Sequence, residues 1–274
     1  MDIFSNLMVI GECLLDKRRT KAFKQAIERT VKRGDVVIDI GTGSGVLAMF
    51  AAKAGAKKVY GVEIADDVAN FAKQNVTTNK LTDKIEVINA DMKKFNFPHN
   101  VDVVTMELMD TGLVAEQQGV VNNWLLKKGI ITPETRLIPY RYQCTFQLVT
   151  YDFNFYGLDM PFVIQARNFA ATQNIKKKLS ERVVYKDIDF HKYIETNVDV
   201  TVEVKIISDG ILNGLVLESK TFLSKNQAIW GTTDLNMPVI IPLTERKIKK
   251  GDIVNVRIKY EMGKGFGKFK AELL

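Results

Sequence analysis

The sequence has few of the residues that build disulfide frameworks or metal centres. Its 274 residues include two cysteines, Cys13 and Cys144, and two histidines, His99 and His191. Two cysteines exclude a disulfide framework and a cysteine zinc site, and two histidines are too few for a histidine metal site. We therefore expect no bound metal, and the low cysteine content favours a reducing compartment, the cytoplasm.

Long apolar runs are also missing. No stretch reaches the roughly 18 consecutive apolar residues that a membrane helix needs. The start of the chain, MDIFSNLMVI, lacks the basic residues and the long apolar core of a secretory signal. We therefore expect neither a membrane anchor nor a secretory signal.

Negative charge is scarce in the second half of the chain. Residues 1–160 contain 20 Lys and Arg against 19 Asp and Glu, whereas residues 161–274 contain 19 against 13. The excess lies in three basic runs, KKK (176–178), RKIKK (246–250) and KGFGKFK (264–270). Such runs usually form a solvated lysine-rich surface, and an anionic partner such as RNA is the alternative.

From residue 36 onward, apolar segments alternate between strand and helix patterns. Four segments are typical of short buried strands: VVIDI (36–40), KKVYGVE (57–63), KIEVINAD (84–91) and VDVVTME (101–107). Helical patterns follow the first two strands and the fourth. This alternation predicts a parallel sheet with helices on both faces.

The pattern changes at ITPETRLIP (131–139), after which strand patterns dominate. Only the stretch at about 160–182 is helical or irregular in pattern. We predict an α/β protein with two domains. A Rossmann-like domain occupies residues 1–139, and an antiparallel, β-barrel-like domain occupies residues 140–274.

The segment VIDIGTGSG ends the first predicted strand with three glycines, Gly41, Gly43 and Gly45. Glycine permits positive φ and close backbone approach, so a ligand can lie against this turn. The dinucleotide motif G-x-G-x-x-G is not matched, because Val46 stands where that motif has its third glycine. Asp39, just before the loop, would repel a pyrophosphate but suits a cation.

Acidic residues end the next two predicted strands. Glu63 follows Gly45 by 18 residues, at the place where an acid accepts hydrogen bonds from ribose hydroxyls. Asp91 ends the third strand and could accept a hydrogen bond from an exocyclic amine. These acids converge on the carboxyl edge of the sheet, which predicts a nucleoside ligand with a positive charge and an amine. S-adenosylmethionine is the candidate.

Two segments resemble known methyltransferases. IDIGTGSGVLAMFAAKAGAKKVYGVE (38–63) resembles the cofactor motif of the class I S-adenosylmethionine-dependent methyltransferases. MELMDTGLVAE (106–116) is similar, more narrowly, to the double-glutamate loop of the protein arginine methyltransferases. Glu107 and Glu116 have the family's spacing of nine residues after the fourth strand.

Three further segments carry the same resemblance. Arg19, in LLDKRRT, matches the family arginine that binds the cofactor carboxylate. TPETRLIP matches the loop that leads into the family's β-barrel, and FYGLDM (155–160) resembles the start of its dimerisation arm. The resemblance implies S-adenosylmethionine as cofactor, a protein arginine as methyl acceptor, and a homodimer with an arm at about 155–182.

The resemblance also implies the catalytic chemistry. A guanidinium is planar, always charged and rich in donors, so two carboxylates can clamp it and aim one nitrogen at a methyl group. The family's glutamates do this, and Glu107 and Glu116 match them. Asp16 matches an aspartate that pairs with a histidine in a proposed proton relay.

Two departures leave other functions open. The family's Thr-His-Trp loop is matched best by QAIW (227–230), in which Ile229 replaces the histidine that would pair with Asp16. The loop after Glu107 also differs, and Asp110 adds a third acid there. The alternatives are a methyltransferase of the same fold acting on RNA or a small molecule, and a cofactor-binding protein that is not an enzyme.

Overall fold

The computed structural model describes residues 6–98 and 100–274. The first five residues of the start considered above as a possible signal, and His99, lie outside the described residues. No helix within the described ranges is long and apolar enough to cross a membrane.

The first half of the chain forms a parallel sheet with helices. The helices are α1 (Leu7–Leu15), α2 (Lys17–Thr30), α3 (Val46–Lys53), α4 (Asp66–Thr78) and α5 (Gln118–Lys127). The strands are β1 (Val36–Ile40), β2 (Lys58–Glu63), β3 (Ile85–Asn89), β4 (Val103–Met106) and β5 (Arg136–Ile138). All four strand pairs are parallel, in the order β3-β2-β1-β4-β5.

This strand order determines where a ligand can bind. The chain moves from β1 outward to β2 and β3, and then returns to the other side of β1 to form β4. Open α/β sheets bind ligands in the crevice at the carboxyl ends of the strands where the order reverses. The loops after β1 and β4 therefore face each other across that crevice.

The second half of the chain is antiparallel. Its strands are β6 (Arg141–Tyr151), β7 (Asn154–Phe155), β8 (Leu158–Asp159), β9 (Ile164–Gln165), β10 (Ile175–Lys178), β11 (Val183–Asp189), β12 (Asn197–Lys205), β13 (Gly210–Ser224), β14 (Gln227–Trp230), β15 (Val239–Ile248), β16 (Ile253–Glu261) and β17 (Lys270–Leu273). A seven-stranded sheet is built around β6, β13 and β15, and β12, β16 and β17 form a three-stranded sheet.

The predicted class, an α/β parallel-sheet domain followed by an antiparallel β-domain, is confirmed. The stretch with an irregular pattern contains β9, a 3-10 segment (Arg167–Asn174) and β10, and the hairpin β7–β8 precedes it. One hydrophobic cluster runs through both halves, from Phe23 and Leu125 to Tyr142 and Phe146. The boundary between residues 139 and 140 falls between β5 and β6 and stays a proposal.

Candidate active site

A cavity of about 710 Å³ opens at the carboxyl edge of the parallel sheet. Helix α1 covers one side of it, and loops of the antiparallel half close the other. Seven of the predicted site residues line its wall: Arg19, Gly41, Gly43, Glu63, Asp91, Glu107 and Glu116. The other three, Asp16, Asp39 and Gly45, are not part of the wall.

The glycine loop has the backbone that the sequence predicts. Gly41 and Gly43 have φ of 68° and 54°, in the left-handed region that favours glycine. A Cβ atom at Gly41 would collide with the Leu108 side chain, and one at Gly43 would lie 3.1 Å from Ile10 Cδ1. The loop therefore brings its bare backbone to the cavity, while Gly45 forms the N-cap of α3.

Asp39 lies behind this loop. Its carboxylate accepts hydrogen bonds from the Thr42 hydroxyl at 2.6 Å and from the Thr105 hydroxyl at 2.5 Å. The side chain is fully buried, and that burial raises the pKa of Asp39 to about 6. Asp39 thus holds the glycine loop in place through the Thr42 hydroxyl. The predicted contact between Asp39 and the cofactor stays a prediction.

Glu63 and Asp91 lie at the ends of β2 and β3, as predicted. The Glu63 carboxylate accepts the Gly43 N–H at 3.1 Å and the Ala65 N–H at 3.0 Å, which fixes its orientation at the cavity wall. Asp91 accepts the Lys93 N–H at 3.0 Å. Carboxylate oxygens accept more than one hydrogen bond each, so both residues keep acceptor capacity for a ligand.

Arg19 and Glu107 form an ion pair within the wall. Their side chains are only 8% and 11% exposed. The Arg19 guanidinium also donates to the Cys13 carbonyl at 3.3 Å. Its Nε is buried and has no hydrogen-bond acceptor among the described residues. A buried donor without an acceptor is costly, so an added acceptor at this Nε would stabilise the site. Arg19 itself lines the cavity, and its guanidinium is the cation that pairs with Glu107.

The loop from Glu107 to Glu116 is folded back on Asp110. The Asp110 carboxylate accepts the backbone N–H groups of Ala115 and Glu116 at 2.9 to 3.0 Å. Burial raises the pKa of Asp110 to about 6. Asp110 lines the cavity, yet its oxygens are used to close the loop, which places Glu116 on the same wall as Glu107.

The antiparallel half fixes the same loop from the other side. The Tyr142 hydroxyl donates to the Asp110 carbonyl at 2.8 Å, and the Thr111 hydroxyl donates to the Met237 carbonyl at 2.6 Å. The Ser219 hydroxyl accepts the Gly112 N–H at 2.9 Å. The positions of the two glutamates therefore depend on both halves of the chain.

Comparisons with known proteins agree with this geometry. A family model described as ribosomal protein L11 methyltransferase matches residues 18–150. An uncharacterized protein of Methanocaldococcus jannaschii is 35% identical over 95% of this chain and 94% of its own length. The chain belongs to the class I S-adenosylmethionine-dependent methyltransferases. The match to the M. jannaschii protein extends over nearly the whole chain. The cofactor of the chain is S-adenosylmethionine.

The names of other relatives of this methyltransferase refer to methylation of arginine. A probable protein arginine N-methyltransferase 6 of Arabidopsis thaliana is 32% identical over 59% of the chain. The chain spans about 40% of that relative's length. The Trypanosoma brucei PRMT1 enzyme–prozyme complex with AdoHcy has the same fold, with a TM-score of 0.77 at 21% identity, over 94% of this chain and 89% of that one.

The cavity of the methyltransferase fits its cofactor. The unsatisfied Arg19 Nε and the bare backbone at Gly41 and Gly43 suit the amino-acid end, and Glu63 and Asp91 suit the nucleoside end. Within the described part of the chain, no group of three or more His, Cys, Asp or Glu residues could hold a metal ion.

The structure corrects the assignment of Ile229. This residue lies on β14, pairs with Thr221 and is absent from the cavity wall. Asp234 of the antiparallel half reaches Asp16, because its backbone N–H donates to the Asp16 carboxylate at 2.9 Å. The sequence match failed because the tryptophan of QAIW lies in a strand. Asp234, which contacts Asp16, lies in the loop after that strand.

Asp16 itself is a helix cap in this methyltransferase. Its carboxylate accepts the Arg19 N–H at 3.0 Å at the start of α2. Burial raises the pKa of Asp16, but the hydrogen bonds from the Arg19 and Asp234 N–H groups oppose it, and the pKa lies below its ordinary value. Its predicted role as a catalytic residue stays a prediction, and the geometry favours positioning of Arg19.

The sequence analysis missed the part of the wall that the antiparallel half supplies. Gln165, Arg167, Asp234, Asn236, Met237 and Phe266 all line the cavity. They come from the arm and from irregular loops, where no periodic pattern marks them. Asn236 has a φ of 52°, and Arg167 precedes two residues with positive φ. Only the closure of the second half onto the first brings these residues to the site.

Proposed function

We propose that this methyltransferase transfers a methyl group to a guanidinium nitrogen of an arginine in a protein. The observation that carries the proposal is the placement of Glu107 and Glu116 in the same cavity as the glycine loop. The names of the Arabidopsis relative and of the matching family model both refer to methylation of proteins, which supports a protein acceptor.

The proposed roles follow from the chemistry. S-adenosylmethionine, when bound, supplies an electrophilic methyl group on a sulfonium. Transfer is an in-line displacement, so the protein contributes mainly positioning and electrostatics. Glu107 and Glu116 hold the acceptor guanidinium through charge-assisted hydrogen bonds, and Arg19 holds Glu107 in place. Asp110 holds the loop between the two glutamates by accepting hydrogen bonds from the backbone N–H groups of Ala115 and Glu116.

An RNA acceptor has less support. The basic surface of the second half contains a hollow lined by Lys176, Lys177, Lys178 and Arg182. Two of these cations already have acidic partners, since Lys176 Nζ lies 3.1 Å from an Asp152 oxygen and the Arg182 guanidinium bonds Glu218. This hollow is also separate from the cavity that contains the glutamates. We therefore favour the reading of these lysines as a solvated surface.

The experiment uses methyl-labelled S-adenosylmethionine with an arginine-containing peptide and the same peptide carrying lysine instead. We expect label on the arginine peptide only, recovered as methylarginine after hydrolysis. Glu116→Gln should lower kcat by roughly 100-fold or more and leave cofactor affinity unchanged. Glu245→Gln, at an exposed position on β15 outside the cavity wall, is the matched control.

Other outcomes would redirect the proposal. Normal transfer by Glu116→Gln would contradict the assigned role of the glutamate pair. Label found only on RNA or on a small molecule would support the alternatives that the sequence leaves open. Cofactor binding without transfer to any acceptor in a cell extract would support a binding protein that is not an enzyme.

We further propose a homodimer formed through the arm and residence in the cytoplasm. Tyr156, Leu158, Met160 and Phe162 on the arm are all more than half exposed, which is unusual for a group of large apolar side chains and suits a partner surface. The cysteines of the chain are both free thiols, which suits a reducing compartment.

A further inference from the structure

An arginine of the chain itself lies on the wall of the cavity. Arg167 starts the 3-10 segment of the arm and forms part of the cavity wall. Its guanidinium forms an ion pair with Glu12 of α1, and its Nε lies 3.6 Å from Asp234 Oδ1. The arm therefore places on the wall the same chemical group that the proposed acceptor carries.

Asp234 faces the interior of this pocket. Its side chain is 11% exposed, and its backbone is fixed through the hydrogen bond to Asp16. The thiol of Cys13 on α1 lies among the same charges. Burial raises the pKa of Cys13, Arg19 lowers it, and the carboxylates of Asp234 and Glu116 raise it. Cys13, Glu116 and Asp234 all line the cavity wall.

The acids of this pocket differ in how firmly their partners are fixed. Glu107 is paired with the buried Arg19, and Asp110 is bonded to backbone N–H groups. Asp234 is paired with Arg167, whose side chain is 47% exposed. Ion pairs with one solvent-exposed partner are weak, because water and salt screen them. The partner of Asp234 is therefore easier to exchange than that of Glu107.

We propose that Arg167 competes with the acceptor for the Asp234 carboxylate, so that a cationic acceptor must displace it to enter. This inference rests on the proposed arginine transfer and names a regulator of acceptor affinity at that site. Because the site is competent only when Arg167 has left, the apparent affinity equals the intrinsic affinity multiplied by the fraction of molecules in which Arg167 is displaced. Arg167 thereby disfavours acceptors that make no contact with Asp234.

The test measures binding of a fluorescent arginine peptide to the full chain by anisotropy, with saturating S-adenosylhomocysteine present. We expect Arg167→Met to tighten binding about three- to fivefold, which corresponds to about 1 kcal/mol, and to lower KM with kcat unchanged. Arg141→Met is the matched control, because Arg141 also pairs with an aspartate on the surface but lies outside the cavity wall. It should leave the affinity unchanged.

A double-mutant cycle makes the inference specific. Asp234→Asn should weaken peptide binding, and Arg167→Met should have no further effect in that background. If Arg167→Met fails to tighten binding, or tightens it equally without Asp234, the competition does not exist. If no variant binds or methylates the arginine peptide, the proposed function itself fails. The two failures are therefore distinguishable.

Discussion

The buried pair of Arg19 and Glu107 allows stability and cofactor binding to be separated in one set of variants. Arg19→Met keeps most of the side-chain volume but removes the charge. It leaves the Glu107 carboxylate, which is only 11% exposed, without its cation. Removing one partner of a buried pair is strongly destabilising, because the remaining charge stays desolvated.

The structure sets the expected size of the effect. Such a loss typically lowers the free energy of unfolding by about 3 to 5 kcal/mol. The lower part of that range applies here, because Glu107 faces a cavity that water can enter. The double variant Arg19→Met/Glu107→Gln removes the stranded charge, so we expect it to recover at least half of the lost stability.

Cofactor affinity should behave differently. Arg19 has an unsatisfied buried Nε, and its proposed acceptor is the cofactor carboxylate. The double variant should therefore stay defective in binding S-adenosylhomocysteine, measured by calorimetry, even where urea unfolding shows that its stability has returned. Recovery of both properties together would refute the assignment of Arg19 to the cofactor. Equal destabilisation by the single and double variants would refute the reasoning on the buried charge.

Two further predictions concern pH and assembly. Because burial raises the pKa of Asp39 to about 6, its contribution to stability is complete below about pH 4 and declines as pH rises through 6. Between pH 4 and pH 7, the free energy of unfolding of the wild type should therefore fall by up to about 3 kcal/mol relative to that of Asp39→Asn. Urea unfolding measures both proteins, and the same pH dependence in the two would contradict this prediction. Replacing Leu158 and Phe162 by serine should convert the proposed dimer to a monomer in light scattering. Val184→Ser, at another exposed apolar position, should leave the mass unchanged.

The sequence was sufficient to predict the positions of the glycine loop and of the acids that follow β2 and β3. Strands β1 and β2 are short, apolar and rich in β-branched residues, so the residue pattern alone predicts them as strands. The glycines after β1 have the positive φ that glycine favours, so the local sequence also predicts the turn. Glu63 and Asp91 lie at strand ends, and a parallel sheet brings strand ends together. Their presence on one wall therefore follows from the predicted topology.

The part of the wall that the antiparallel half supplies could not be predicted in the same way. Arg167 and Asp234 are 67 residues apart in the chain and meet through tertiary packing between the arm and the loop after β14. The role of Asp110 depends on backbone N–H groups at Ala115 and Glu116, and no residue pattern reports such bonds.

The hydrophobic cluster that joins the parallel sheet to the antiparallel sheets constrains how the chain can evolve. Tyr142 and Phe146 are fully buried against the same core as Phe23 and Leu125, so neither half can be exchanged without exposing apolar surface of the other. We therefore expect a change of acceptor to arise from substitutions in the loops that line the cavity, such as the loop that carries Asp234. Variants of this chain could acquire new acceptors through substitutions at a few positions of these loops, while the two halves stay together in one protein.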